Sequence, residues 1–451
     1  MRLRILLLGL LYGSSFLFSF PSFSQTSLSP GDVAFLGFSA SNNPSHFSFL
    51  LLEDITANTE IIFTDRGWDG SQLVEHPLDT LLVWTSDTAM EAGAVVTVSG
   101  SSANMGTLLG NFEQYFFSHD QIYALQGSVD APSFLAAINT KNWVVVGEID
   151  TNAEGLLPDV LATDQRALSF DILFGQAWYA GRVANGTKSE LREEIYTPTN
   201  WDQSTYQHDE LPVQYSEFTV GSAFTDPGTT LQAGDIAMVG VYYSDVQARF
   251  AFTLLEPVVA GTQLVITDHG WLDTAWQFIP QADQLHTWEA TENLPAGTVV
   301  MVEGKEVNVG AWYGGEIQFD NQEQLYFFQG RTSAPRFLTA FSATDYIVGS
   351  SNNWHQQSIY GLLPASLAAN PAHHFYIDAG NSVFTSYLYA GPLKAGTKQE
   401  LLAELYFEPN IQTRTLVSGW RKKLPSSFLV GPAWQPTGTV LQPSDEHLTG
   451  L

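Results

Sequence analysis

The chain has 451 residues, 47 of them acidic against 18 basic, a formal charge of −29 at pH 7 and no cysteine. So thin a supply of lysine and arginine excludes sequence-independent nucleic-acid binding, which needs cations against phosphates, and the same repulsion disfavours anionic membrane surfaces. The missing cysteine excludes a disulfide framework, a thiolate metal site and a cysteine nucleophile, so the fold has to be held by burial alone.

Residues 1–24 carry Arg2 and Arg4, then an apolar run from Ile5 to Phe20, then small residues at Ser22 and Ser24. This is the layout of a secretory signal peptide, and the run is short for a membrane span. The expectation is an exported protein, secreted or held in the periplasm or at the cell surface, with no membrane insertion once the signal is cleaved.

Short segments rich in β-branched and aromatic residues follow: "HFSFLLLE" from His46, "TEIIFTD" from Thr59, "TLLVWTS" from Thr80, "AVVTVSG" from Ala94, "QIYALQG" from Gln121 and "WVVVGEI" from Trp143. Turn residues separate them, so they are predicted strands. Ala57-Asn58-Thr59 and Ala92-Gly93-Ala94 precede two of them, with Asn58 and Gly93 at positions where a tight turn needs positive φ. Thr187-Lys188-Ser189-Glu190 then spells a capping box, and Leu191 and Ile195 one turn apart predict a short amphipathic helix.

The series then repeats. "FSFLLLEDITANTEIIFTDRGW" at 47–68 returns 203 positions later as "FAFTLLEPVVAGTQLVITDHGW" at 250–271, identical at eleven of twenty-two positions. "DQIYALQGSVDAPSFLAAI" at 120–138 matches "EQLYFFQGRTSAPRFLTAF" at 323–341 at the same offset, and "GLLP" at 155–158 matches 361–364. By "YAGRVANGTKSEL" at 179–191 and "YAGPLKAGTKQEL" at 389–401 the offset has become 210, which places the differences in small loop insertions. "SEFTVGSAFTDPGTTLQAGD" at 216–235 aligns with "SSFLVGPAWQPTGTVLQPSD" at 426–445, so the linker is duplicated too. A period of about 200 residues is too long for a solenoid unit. The reading is a mainly β fold of two tandem duplicated β-sandwich-like modules, each ending in a short amphipathic helix: signal 1–24, first module 25–215, linker 216–230, second module 231–412 and a linker-like tail 413–451.

The order of signals resembles the lamin-tail type of immunoglobulin-like β-sandwich. The residues that carry the likeness are the strand Phe47 to Leu51, the turn Asp65 to Trp68, the Ala92-Gly93 turn leading to Val95, Val96 and Val98, and the strand Asp120 to Leu125. It covers about the first 110 residues of each module. The resemblance implies a non-catalytic surface or accessory module of the kind found in exported bacterial proteins; a fold alone does not assign a function.

Candidate residues divide between structural and chemical roles. Asp65, Gly67 and Trp68, with Asp268, Gly270 and Trp271, form the repeated "TD-x-G-W" turn: the aspartate is expected to accept from backbone N–H groups two residues on, the glycine to relax the turn, and the tryptophan to be largely buried. Calcium ligation by Asp65 and Asp268 is the alternative, otherwise no cofactor is called for; the nearby acids for it are Asp69 and Asp79, and Asp273 and Asp283. Glu53 and Glu256 are the matched acids without an evident structural job, and so are candidate ligand-binding residues. Trp84 and Trp288 are matched and read as core, while the unmatched Trp143, Trp178, Trp201, Trp276, Trp312 and Trp354 are candidate platforms for sugar rings, with Trp143 and Trp354 foremost. His373-His374 with Asp378 is the one histidine cluster. No nucleophile elbow, H-E-x-x-H, phosphate loop or EF-hand loop occurs. The functional expectation is therefore a non-catalytic module pair that mediates surface contact or binds an extracellular protein or glycan; the alternative is a secreted hydrolase acting on polysaccharide in a cleft between the modules.

Overall fold

A computed structural model describes residues 25–39, 45–77, 79–110, 120–143, 155–163, 166–170, 176–204, 215–242, 249–272, 274–276, 285–316, 324–342, 361–376, 386–407, 411–414 and 424–431. The signal segment 1–24, the strand expected beyond Trp143, Trp354, Asp273, Asp283, Asp378 and most of the 413–451 tail lie outside the described residues.

The described chain is mainly β. In the first half, Val33–Ser39 sits inside a six-stranded sheet between His46–Leu51 and Gln176–Tyr179; Val95–Ser99 and Ser102–Ala103 extend one side and Trp201–Ser204 the other. A second six-stranded sheet runs Ala167–Ser169, Ala131–Asn139, Gln121–Ser128, Glu60–Thr64, Leu81–Thr85, Thr107–Leu109. Within these two sheets only the pairing of 131–139 with 167–169 is parallel.

In the second half the corresponding sheets run Glu306–Val307, Val299–Glu303, Arg249–Leu254, Ile236–Tyr242, Ser386–Tyr389, Ile411–Arg414, and Ala311–Tyr313, Leu285–Glu289, Gln263–Thr267, Gln324–Arg331, Ala334–Ser342, His374–Tyr376. The register shifts recur: between Phe35 and Gly37 and between Met238 and Gly240 in one sheet, between Ala124 and Leu125 and between Phe327 and Phe328 in the other. Among the described residues no strand pairing joins the two halves.

Burial explains why these segments are strands. "VAFLGFS" and "HFSFLL" are buried at every position, as uninterrupted apolar runs are when both faces of a strand are covered. One face meets the opposite sheet, where Phe47 and Phe49 each lie 4.9 Å from Phe63 and Phe49 meets Trp84 edge-on at 5.4 Å. Leu191 and Ile195 of the Lys188–Ile195 helix join the same buried cluster. The second half repeats the arrangement with Phe250 and Phe252 on Phe327, at 5.8 and 5.4 Å, and Trp288 at 5.6 Å from Phe252. Each core indole keeps a hydrogen bond, Trp84 to the Met105 carbonyl at 2.7 Å and Trp288 to that of Val309 at 2.9 Å, so neither is buried with an orphaned donor.

A smaller apolar layer covers the outer face of the second sheet in the first half. Tyr123, Leu125, Phe134 and Ala137 of that sheet pack with Leu73, Leu161, Trp68 and Trp143.

The two helices that recur, Lys188–Ile195 and Lys398–Leu405, carry the full capping box. The Thr187 hydroxyl accepts from Glu190 N at 3.3 Å and the Glu190 carboxylate from Thr187 N at 2.9 Å; Thr397 and Glu400 do the same at 3.2 and 2.9 Å. Neither helix is the last element. After each, one more strand returns to the sheet, Trp201–Ser204 on Gln176–Tyr179 and Ile411–Arg414 on Ser386–Tyr389. Further on, Thr219–Val220 pairs in parallel with Asn185–Gly186, and Leu429–Val430 with Ala395–Gly396.

Candidate functional site

Three of the repeated motifs, separated in sequence, meet at one place in the first half. The Leu156 N–H of "GLLP" donates to the Trp68 carbonyl at 2.7 Å and the Leu156 carbonyl accepts from the Tyr123 hydroxyl at 2.7 Å. The Gln121 side-chain amide donates to the Asp65 carbonyl at 2.5 Å and accepts from Gly155 N at 2.8 Å. In the second half, Leu362 N meets the Trp271 carbonyl at 2.5 Å, Tyr326 the Leu362 carbonyl at 2.9 Å, and Gln324 the Asp268 carbonyl at 2.8 Å. A side chain at Gly155 would stand 2.6 Å from Trp68 N and 2.9 Å from the Gly67 Cα; at Gly361, 2.6 Å from Trp271 N and 2.8 Å from the Gly270 Cα. This close approach accounts for glycine at positions 155 and 361; neither Gly67 nor Gly270 has positive φ, so the repeated turn is not left-handed at its glycine.

The turn also differs from expectation at the aspartate. Thr64 and Thr267, through their hydroxyls, accept from the N–H two residues on, Arg66 at 3.3 Å and His269 at 3.1 Å. Asp65 instead reaches fifteen residues along the chain and accepts from Thr80 N at 2.5 Å. It is buried, its Oδ2 has no hydrogen-bond partner, and burial together with the charge of Asp79 pushes its carboxyl up to about 7. Burial raises Asp79 as well, against the His76 N–H that holds its carboxylate at 2.6 Å. Asp69 lies in its own exposed turn and accepts from Ser71 N and Gln72 N at 2.7 and 2.8 Å. Among the described residues no three histidine, aspartate or glutamate side chains are grouped to hold a metal ion.

Glu53 and Glu256 do have a structural partner. Lys188, in the first turn of its helix, is paired with Asp32 and, at 2.8 Å, with Glu53; Lys398 is paired with Asp235 and, at 3.2 Å, with Glu256. A cation at a helix N-terminus opposes the macrodipole, and the two carboxylates compensate for it. Burial alone would lower the ammonium of Lys188, but its bonds to Asp32 and Glu53 outweigh that and hold it above its ordinary value. No local signal in the sequence announces these triads, because each lysine lies 135 or more residues from its carboxylates; the recurrence of all three residues in both halves is the available clue.

Gln126 and Gln329 belong to the same overlooked class. Each side-chain amide accepts from the N-terminal segment, Leu28 N at 2.8 Å or Leu231 N at 2.7 Å, and donates to two carbonyls at 3.0 Å, Thr26 and Glu60 or Thr229 and Gln263.

The tryptophans sort differently from the sequence reading. Trp201 and Trp276 are core, at 4% and 9% exposure, and not platforms. Trp143 is half-buried against Tyr123, with ring centroids 5.9 Å apart, and Trp178 and Trp312 are also half-buried. Trp271 is buried, whereas Trp68 is only half-buried, each edge-on to a phenylalanine at 5.0 Å, Phe337 and Phe134. Trp276 stands where the first half has Leu73 and fills that outer layer against Trp271 at 4.9 Å and Phe328 at 5.4 Å. His373 and His374 face separate partners, Asn370 at 3.1 Å and the Leu367 carbonyl at 3.3 Å.

No family model, curated protein or solved structure matches the chain.

Proposed function

We propose that the chain is an exported, non-catalytic protein of two tandem duplicated β-sandwich modules of the lamin-tail-like, immunoglobulin-like kind, which mediates surface contact or binds an extracellular protein or glycan. One observation carries this reading. Many of the polar residues common to both copies are spent inside the fold: Gln121, Gln126, Tyr123 and the capping-box pair Thr187 and Glu190 hold backbone, and Asp32, Glu53 and Lys188 pair with one another, with their counterparts in the second half. Duplication has therefore preserved a scaffold, and a scaffold whose repeated polar groups are mostly engaged internally offers its ligands the variable surface between them. The modules are placed at 25–215 and 231–412, joined by the 216–230 linker.

A second reading, a secreted hydrolase acting on polysaccharide, is favoured by one feature, the buried carboxyl of Asp65 raised to about 7 beside Asp79. Such shifts mark acid and base groups as well as structural ones. Both carboxyls belong to the first half, so this reading needs no cleft between the modules. The test is a screen of the purified protein against a glycan array and against generic esterase, phosphatase and glycosidase substrates. Binding without turnover is the expected result. Reproducible turnover abolished by Asp65→Asn or Asp79→Asn overturns the non-catalytic reading.

A further inference from the structure

The first half meets the hairpin turn of the second through a buried carboxylate and a set of ion pairs, some buried and some partly exposed. Glu194 is fully buried; its carboxylate accepts from Ser333 N at 2.8 Å, the Ser333 hydroxyl at 2.6 Å, Thr332 N at 3.2 Å and the Asn200 side chain at 3.0 Å. Arg331 binds Glu193 at 2.7 Å and lies 3.7 Å from Glu190. On the other side of the turn, Asp226 of the linker takes Arg182 at 3.0 Å, Arg336 at 2.8 Å and Gly330 N at 2.8 Å. Arg182 also reaches Gln263 at 3.2 Å and the Gly330 carbonyl, and covers the Phe224 ring at 5.4 Å.

Most of these side chains are not repeated. Arg331, Ser333 and Arg336 correspond to Ser128, Asp130 and Ser133 in the hairpin of the first half. Arg182, Glu193 and Asp226 correspond to Pro392, Ala403 and Pro436. Glu190, Glu194 and Asn200 keep their counterparts, Glu400, Glu404 and Asn410, but the turn that a second copy would bring to Glu404 carries Asp130 in the place of Ser333. Like charges there would repel, and the arginines that secure the contact on either side of the turn are gone. The scaffold has been kept in both copies while its ends have diverged.

We propose that this contact is a lock specific to the junction: it joins the two modules into one cooperative unit and does not extend to further copies. The proposal rests on the two-module reading. Its chemistry is a buried carboxylate that captures the N–H groups of a hairpin turn, flanked by an Arg182, Asp226, Arg336 ion cluster and an Arg331, Glu193 pair. The buried carboxylates of Glu194 and Asp226 specify a partner more than they add to affinity, because a wrong partner leaves a buried charge unpaired.

The test transplants the first half's own residues into the turn, R331S, S333D and R336S together, in the full chain. The hairpin of the first half already folds with serine, aspartate and serine there, so the substitutions suit the turn itself. Calorimetry and small-angle X-ray scattering are read together, with sedimentation velocity for association. The wild type is expected to unfold in one transition and to sediment as a monomer. The variant is expected to split into two transitions and to show a larger radius of gyration. An unchanged transition and radius in the variant overturn the lock. A single transition that only shifts downward, with unchanged radius, overturns the two-module reading on which it rests. End-to-end association of the wild type overturns the claim that the contact is confined to the junction.

Discussion

Phe63 and Ala124 stand opposite each other on adjacent strands, and 203 residues later Ile266 and Phe327 do the same in the same register. The large ring has changed strands while the site stayed full, and all four residues are buried in the cores. Phe63→Ile should cost about 1–3 kcal/mol through the void it leaves, and Ala124→Phe a similar amount through overpacking. The double variant should recover at least about 1 kcal/mol of their sum, measured by urea unfolding; strict additivity would show that the two positions do not share a space. The tryptophans of the repeated turn should differ in the same assay. Trp271→Ala is expected to cost about 3–5 kcal/mol and Trp68→Ala less, because only Trp271 is buried. Asp65 gives a pH signature. Burial lifts its carboxyl from 3.8 to about 7, so between those values the folded chain holds a proton that the unfolded chain has released. Its contribution is therefore fully present below about pH 4 and is lost as pH rises through 7, with a ceiling of roughly 4 kcal/mol. Asp65→Asn should raise the melting temperature at pH 8 and leave it nearly unchanged at pH 4. An equal effect at both values would mean the carboxyl is not titrating in that window.

At the scale of elements, what could be read from the sequence was what is local. The capping box lies within four residues, so Thr187-Lys188-Ser189-Glu190 announced both the helix and its first bonds. Positive φ at Asn58 and Gly261 was likewise readable, as the tight Ala57-Asn58-Thr59 turn and its counterpart tolerate little else. Three other features were not. The strand Trp201–Ser204 is four residues with no alternation to mark it, and it exists because Gln176–Tyr179 offers it an edge. "GLLP" is visible as a repeat but not as the partner of the "TD-x-G-W" turn, since the hydrogen bond from Leu156 to Trp68 joins residues far apart in the sequence. Glu53 lacked a role because its lysine is 135 residues away. The helix offers a direct check: Thr187→Ala and Thr397→Ala should each destabilise the protein by about 1 kcal/mol. Thr187→Ser should restore most of the loss in the first case, and a serine variant as weak as alanine would mean the threonine methyl, not the hydroxyl, is what counts.

For the molecule as a whole, the excess of carboxylates sets the response to salt. Several of the 18 basic residues are already engaged: Lys188 and Lys398 in the triads, Arg182, Arg331 and Arg336 at the junction, Arg66 with Glu75 and Arg249 with Glu303. The remaining acids repel one another across the surface, and monovalent salt shortens that repulsion to about 10 Å at 0.1 M. Raising sodium chloride should therefore raise the melting temperature, because the net charge of −29 outweighs the few exposed ion pairs that salt also weakens. Calcium should do no more than magnesium at equal ionic strength, and chelation should leave the melting temperature nearly unchanged. The reason is coordination: calcium needs six to eight oxygens, Asp65 already spends Oδ1 on Thr80 N, and Asp69 on its own turn. A calcium-specific rise of several degrees, lost in Asp65→Ala together with Asp268→Ala, would show that the repeated turn binds a metal ion.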